Sequence, residues 1–153
     1  MDALKGVFKI NGRDLWTDFG IFLAEEHAGD HNNYSEILKP AKVKKNVAVA
    51  FREEQGERYA NDLQPRSEGR DVELLFAITA PDKSTFIQRY KSFLTLLKPQ
   101  NGGWLSVSLP GLGLTMRMFY LESSTPTLLT AVEGENYQAS LLKVKFREPV
   151  SSF

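Results

Sequence analysis

The hydrophobic pattern changes its period between residues 71 and 121. It first alternates with a period of two, and apolar residues stand on both faces, which predicts a strand covered on both sides. One face carries Val72, Leu74, Phe76 and Ile78, and the other carries Leu75 and Ala77. A helical stripe follows, made of Phe86, Tyr90, Phe93, Leu94 and Leu97. It predicts a helix over about residues 82–98, with Asp82 as the N-cap and Pro99 just beyond its end.

Short strands and turns are predicted on both sides of this segment. Asn11-Gly12 follows a short predicted strand at residues 7–10, and this dipeptide favours a tight hairpin because both central residues of the turn need positive φ. A second strand is predicted over residues 15–23 with a bend at Gly20, and further strands over residues 104–109, 114–121, 128–132 and 137–146. Roughly seven or eight strands and one substantial helix indicate an α+β, mainly antiparallel domain with the helix packed on a sheet or barrel.

Two long polar segments interrupt these elements. Residues 25–36 are predicted to form a loop, and residues 52–70 are rich in charge, glycine and proline. Between them, apolar residues share one face of a predicted strand: Val43, Val47, Val49 and Phe51. Compact domains rarely carry two structureless loops of this length unless the loops have a function or form an extended hairpin arm. Residues 25–39 and 52–70 are therefore the candidate arms.

Composition narrows the class of protein further. The length of 153 residues favours a single domain over residues 1–153. Nineteen basic residues balance nineteen acidic ones, so no general attraction to nucleic acid or to an anionic membrane is predicted. The absence of cysteine excludes disulfides, thiolate zinc sites and a cysteine nucleophile. The first residues do not resemble a signal peptide, and no run approaches the roughly 18 apolar residues of a membrane helix, so we expect synthesis in a cytoplasm.

The candidate sites for catalysis or metal binding are weak. His27 and His31 lie four residues apart beside three acidic residues, and on a helix they could share a metal ion. Gly29 between them disfavours a helix, so a solvated loop is the preferred interpretation. Ser84 lacks the glycines of a nucleophile elbow, and Gly111-Leu-Gly113 lacks the lysine and helix of a phosphate loop. We therefore predict no catalysis, no cofactor and no metal.

The same polar segments contain candidates for contact between subunits. A basic cluster at Lys39, Lys42, Lys44 and Lys45 lacks interleaved aromatic residues, which favours a solvated face or one half of a charged interface over a nucleic-acid site. Tyr34 and Tyr59 lie inside the polar segments, where each either covers an edge of the core or contacts another subunit. The candidate interface residues are Tyr34, Lys42, Lys44, Arg52, Tyr59 and Arg66.

Several stretches resemble a known family. The opening Phe8-Lys-Ile-Asn-Gly-Arg-Asp-Leu15, followed by Phe19-Gly-Ile21, resembles the start of phage distal tail proteins and related siphophage tail components. The strand at residues 70–80, the helix after it and Gly102-Gly103-Trp104-Leu105 resemble the strand, helix and glycine-rich turn of the same module. The similarity spans most of the chain but depends on pattern, because it includes no invariant signature.

The resemblance implies a tail-tube-like β-sandwich or barrel with one flanking helix. Such modules assemble as homo-oligomeric rings, commonly hexameric, around a channel for the tape-measure protein and for DNA, which only passes through as cargo. The resemblance implies a virion or prophage structural protein of the tail, made in the host bacterial cytoplasm, with other phage tail proteins as partners. Residues 25–39 and 52–70 would then reach neighbouring subunits.

The sequence departs from the family pattern at one point, and it leaves two alternative functions open. Many distal tail proteins carry a further C-terminal domain, whereas this sequence ends at Phe153, which leaves a minimal ring, a tube subunit or a tail terminator as expectations. The main alternative is a small-ligand or carbohydrate-binding β domain. A deep apolar pocket lined by Trp16 or Trp104 would favour it. A hydrolase ranks third because it needs a cluster that the sequence does not show.

Overall fold

The computed structural model describes residues 3–46, 48–50, 52–53, 55–100, 102–130 and 136–153. The N-terminal part contains strands β1 (Lys9–Ile10) and β2 (Arg13–Asp14), helix α1 (Leu15–Phe19), strand β3 (Ile21–Leu23) and helix α2 (Asn32–Leu38). The remainder contains strand β4 (Arg70–Ala80), helix α3 (Lys83–Leu97), strands β5 (Trp104–Leu109), β6 (Leu114–Ser123), β7 (Thr127–Leu128) and β8 (Gln138–Glu148), with a 3-10 turn at Pro110–Leu112. None of the helices in these ranges is long and apolar enough to span a bilayer.

The strands form one sheet in the order β2-β1-β5-β6-β8-β4-β3, and β7 pairs with β8 beside the end of β6. Each pairing between the described strands is antiparallel. The longest pairing joins β4 to β8 in continuous register, from Arg70 opposite Glu148 to Ala80 opposite Gln138. The prediction of a mainly antiparallel α+β fold is confirmed, while the choice between sandwich and barrel stays a prediction.

The core lies between helix α3 and one face of the sheet. Its centre is Phe76 on β4, whose ring lies 5.4 Å from those of Phe8 and Phe93 and 6.5 Å from that of Phe146. Phe86 and Leu97 on α3 are also buried, as the helical stripe predicts. Asp82 Oδ1 accepts a hydrogen bond from the backbone N–H of Thr85 at 2.7 Å, which caps the helix. The predicted helix is confirmed within one residue at each end.

The start of the chain confirms one prediction and corrects another. Asn11 and Gly12 have φ of 52° and 80°, and they join β1 to β2 as the predicted hairpin. The predicted strand over residues 15–23 is wrong in its first half, which forms α1. Leu15 and Phe19 are both buried, and their spacing of four residues places them on one helical face. Gly20 ends this helix with a left-handed φ of 66°, and β3 begins after it.

The second half of the predicted loop over residues 25–36 is also wrong, because helix α2 begins at Asn32. Strand β3 ends at Leu23, and beyond the hydrogen bond from Ala24 N to the Leu75 carbonyl oxygen at 2.9 Å, the next backbone groups on the edge of β4 need other partners. The side chain of Asn33 supplies them. Its Oδ1 accepts from Leu75 N at 2.7 Å, and its Nδ2 donates to the Leu75 and Ala24 carbonyl oxygens at 3.1 and 2.7 Å. One buried amide therefore continues the sheet edge where the strand stops.

We expect Asn33→Ala to destabilise the fold by about 2 kcal/mol, because it leaves the N–H of Leu75 and two carbonyl groups without this partner. The melting temperature should fall by roughly 4–8 °C. Asn32→Ala, one position earlier at an exposed site, is the matched control and should change it by less than about 2 °C. Thermal unfolding followed by circular dichroism measures both, and equal losses in the two variants would contradict this role of Asn33.

Candidate functional site

The most distinctive surface feature is a projecting segment between α2 and β4, which we call the arm and define as residues 42–68. Near its root, Glu68 N donates to the Lys42 carbonyl oxygen at 2.7 Å, and Lys44 N donates to that of Arg66 at 2.6 Å. Farther out, Val49 and Arg58 exchange both backbone hydrogen bonds, at 2.8 and 2.7 Å. All described residues of the arm are exposed. The arm is therefore a two-limbed antiparallel hairpin, and the side chains of its described residues add nothing to the core.

This arrangement corrects the predicted strand over residues 43–51. Val43 and Val49 are 53% and 49% exposed, so the apolar face they share does not enter the core. Val47 and Phe51, the other members of that face, lie outside the described residues. The segment is the outgoing limb of the arm, and residues 52–68 form the tip and the returning limb. Where its backbone is described, it pairs with the returning limb at two isolated bridges, not with the sheet.

A buried ion pair fixes the root of the arm. Arg70 Nε lies 2.8 Å from Glu148 Oε1, and the two side chains are 4% and 1% exposed. Arg70 Nη1 also donates to the carbonyl oxygen of Lys39 at 2.6 Å, at the end of α2. Burying two charges is tolerated only when the pair is close and its remaining polar atoms are hydrogen-bonded, as they are here. The guanidinium thus links the start of β4, which follows the arm, to the end of α2, which precedes it.

The C-terminal residues contact the same Arg70–Glu148 ion pair. Both oxygens of Glu148 accept hydrogen bonds from Ser152, at 3.0 Å from its backbone N–H and at 2.7 Å from its hydroxyl. The Arg70 guanidinium lies 5.4 Å from the centre of the Phe153 ring, and Ala41 N donates to the Phe153 carbonyl oxygen at 3.1 Å. The root therefore holds the beginning of the arm, its end and the chain terminus in one place.

The structure separates the candidate interface residues into two places. Five of them lie exposed on the arm: Lys42, Lys44, Arg52, Tyr59 and Arg66. Tyr34 does not join them, because it lies on α2 and packs partly buried against the core. Contact of any of these residues with a second subunit stays a prediction.

Sequence reasoning missed Arg70 and Glu148 at the root of the arm. A signal was present at Glu148, because this residue continues the inward-facing even positions of β8 after Val144 and Phe146. A charged residue at an inward position of a strand requires a buried partner.

One arm residue has a perturbed titration. The hydroxyl of Tyr59 donates to Glu57 Oε2 at 2.6 Å. This hydrogen bond and the negative charge of Glu57 raise the pKa of the Tyr59 hydroxyl, since ionisation would place two anions together. Tyr59 is therefore a neutral, half-exposed aromatic donor at physiological pH.

The histidine pair lies on an exposed turn before α2. His31 Nδ1 is 3.4 Å from Glu25 Oε1, and both side chains are exposed. His31 itself has a left-handed φ of 51° and precedes the first residue of α2, so the two histidines do not share a helical face. Among the described residues, no three His, Asp or Glu side chains gather in a geometry that could hold a metal ion.

The two tryptophans line different depressions. Trp16 borders a mainly apolar cleft of about 260 Å³ that also includes Val7, Phe22 and Tyr34. This volume is below the roughly 300–1,000 Å³ typical of small-molecule sites. Trp104 lines an open groove of about 410 Å³, where its ring meets Phe119 edge-on at 5.4 Å and lies 3.7 Å from the Arg117 guanidinium. Neither depression has the deep apolar form that would favour a small-ligand domain.

The fold is similar to that of a phage hub protein. The crystal structure of SPP1 Dit (gp 19.1), described as a paradigm of the hub adsorption apparatus in phages that infect Gram-positive hosts, matches with a TM-score of 0.51 and 12% identity. The match covers 91% of this chain and 49% of that chain, so this chain spans about half of its length. No protein-family model and no curated protein matches the sequence.

Proposed function

We propose that the protein is a structural, non-catalytic component of a phage or prophage tail that forms a ring at or near the junction of tail tube and baseplate. The observation that carries the proposal is the exposed arm on a buried root, in a chain whose fold is similar to that of a phage hub protein. Its partners are further copies of itself and other tail proteins. The ring is a hexamer in this proposal, and DNA only passes through its channel.

The arm is unfavourable to order in a single chain, and it exposes apolar side chains that a second chain could cover. Ordering a backbone segment costs about 1–2 kcal/mol per residue, and the arm recovers little of this within one chain because its described residues are exposed. Its half-exposed apolar side chains include Val43, Val49, Tyr59 and Leu63. Contact with a second chain would bury these groups and offset the cost. An arm that meets a different surface of the next copy makes a head-to-tail contact, and such contacts form a ring when the rotation between copies closes on itself.

The test is the size and shape of the purified protein. Light scattering across a range of concentrations should give a mass several times that of the 17.3 kDa chain, and electron microscopy should show rings with a central opening. In a second series, purified tape-measure or tube protein is added as a nucleating partner. A chain that stays monomeric at the highest concentration and forms no ring in either series overturns the proposal.

A further inference from the structure

Charge is divided along the arm. The bridge between Val49 and Arg58 separates a stem, residues 42–49 and 58–68, from a tip, residues 50–57. The stem has five cations against two anions, and the tip has one cation against three anions. The stem cations are Lys42, Lys44, Lys45, Arg58 and Arg66, of which Arg58 already has a partner. The tip anions in the described part of the chain are Glu53 and Glu57, and the third, Glu54, is known from the sequence alone. The arm as a whole is nearly neutral, so this division is invisible in its total charge.

The cations in the root half of the stem, Lys42, Lys44, Lys45 and Arg66, lie too far from the tip of their own arm to be neutralised by it. The bridge at Val49 lies six residues beyond the bridge at Val43, which is about 20 Å along an extended limb. The screening length at physiological ionic strength is about 8 Å. The two limbs are also held side by side by their backbone hydrogen bonds, so the tip cannot fold back onto the stem. The stem's own anions, Asp62 and Glu68, are fewer than these four cations, so the stem keeps an excess of positive charge that a second molecule can meet.

We propose that the acidic tip of one copy docks on the basic stem of the next copy. This inference rests on the proposed ring, and it specifies which surfaces meet. Tip and stem are different surfaces of the same chain, so the contact is head-to-tail and each copy both gives and receives one. The exposed side chains of Val43 and Tyr59 lie on the stem beside these cations and supply apolar area to the contact.

A second acidic segment of the chain is less suited to this role. It is the turn over residues 25–30, and its carboxylates already accept hydrogen bonds from nearby backbone N–H groups. Asp30 accepts from His27 N and Asn32 N at 2.9 and 3.2 Å, and Glu25 accepts from Gly29 N at 2.5 Å. Carboxylates that stabilise a turn in this way are held by local bonds, whereas Glu53 on the tip is exposed and projects with the arm.

Charge reversal tests the pairing directly. Lys44→Glu/Lys45→Glu makes the stem acidic, and Glu53→Lys/Glu57→Lys makes the tip basic. Each double variant alone sets like charges against each other, and its assembly should weaken about 10- to 100-fold in sedimentation and light scattering at about 50 mM salt. The variant with all four substitutions restores opposite charges and should assemble again. An equimolar mixture of the two double variants should also assemble, with the two chains alternating.

The control is Lys83→Glu/Lys91→Glu on α3, which changes the net charge as the stem variant does, but at exposed positions outside the arm. It should assemble as the unaltered chain does. Melting temperatures confirm that each variant folds. Reversed variants that assemble normally overturn the tip–stem pairing and leave the ring intact. Impaired variants that neither the fourfold change nor the mixture restores also overturn it, and they redirect the search to residues 25–30. An unaltered chain that never assembles overturns the ring and the pairing together.

Discussion

Replacing residues 44–66 with Asn-Gly is expected to abolish assembly while leaving the domain folded. Val43 and Ser67 are antiparallel partners, and a two-residue Asn-Gly turn joins such partners without strain. The described residues that this change removes are exposed, so the core between α3 and the sheet keeps its packing. The melting temperature should therefore change by no more than about 3 °C. Light scattering should report a monomer at concentrations where the full chain forms its ring.

The matched control replaces the same residues with a Gly/Ser segment of equal length. This variant keeps the length and the connection but removes the side chains and the hairpin, and it should also remain monomeric. Retained assembly in the shortened chain would exclude the arm as the interface. The surface to examine next would be the uncovered side of β5 and β6, where Trp104 and Leu121 are 37% and 41% exposed.

Arg70→Ala is expected to have the largest effect on folding stability. It leaves the Glu148 carboxylate 1% exposed and without its cation, and it removes the donor to the Lys39 carbonyl oxygen. Breaking a buried ion pair in this way costs about 3–5 kcal/mol, a large share of the roughly 5–15 kcal/mol that stabilises a domain. Urea unfolding should show the midpoint moving to markedly lower denaturant concentration. The melting temperature should fall by roughly 6–20 °C.

The chain offers an internal control for this prediction on the same two strands. Arg147 and Asp71 form an ion pair at 3.0 Å, one register position from Arg70 and Glu148, with side chains 40% and 46% exposed. Arg147→Ala should cost less than about 1 kcal/mol, since exposed ion pairs contribute little. Arg70→Met/Glu148→Leu should recover part of the loss because neither charge remains buried. Equal losses for Arg70→Ala and Arg147→Ala would show that burial is not the source of the effect.

Elements with a long local repeat could be predicted from sequence. Strand β4 and helix α3 each present a repeated apolar pattern, and the hairpin at Asn11-Gly12 follows from a dipeptide with special backbone freedom. Helices α1 and α2 could not be predicted in this way, since each buries a single pair four residues apart. In α2 that pair is Asn33 and Ile37. Asn33 is polar, and its burial depends on the open edge of β4, which is distant in sequence.

The candidate site could be predicted only in part. The polar composition of residues 52–70 indicated an arm, whereas the alternation that includes Val43 and Val49 predicted a strand with one apolar face. Alternation specifies an extended backbone and one apolar face, but it does not specify what covers that face. The covering element is a tertiary property, and in the described structure nothing from the core covers this face. The Arg70–Glu148 pair likewise joins residues that come together only when β4 pairs with β8.

The hydrogen bond from Ala41 to Phe153 has a mechanical consequence. A polypeptide fused after Phe153 would emerge beside the arm, and tension along it would act first on Ser152 and Glu148 before it reached the hydrophobic core. Glu148 is also the partner of Arg70, so the arm and the terminus share one anchor. Load applied at the terminus would therefore reach the Arg70–Glu148 pair at the root of the arm.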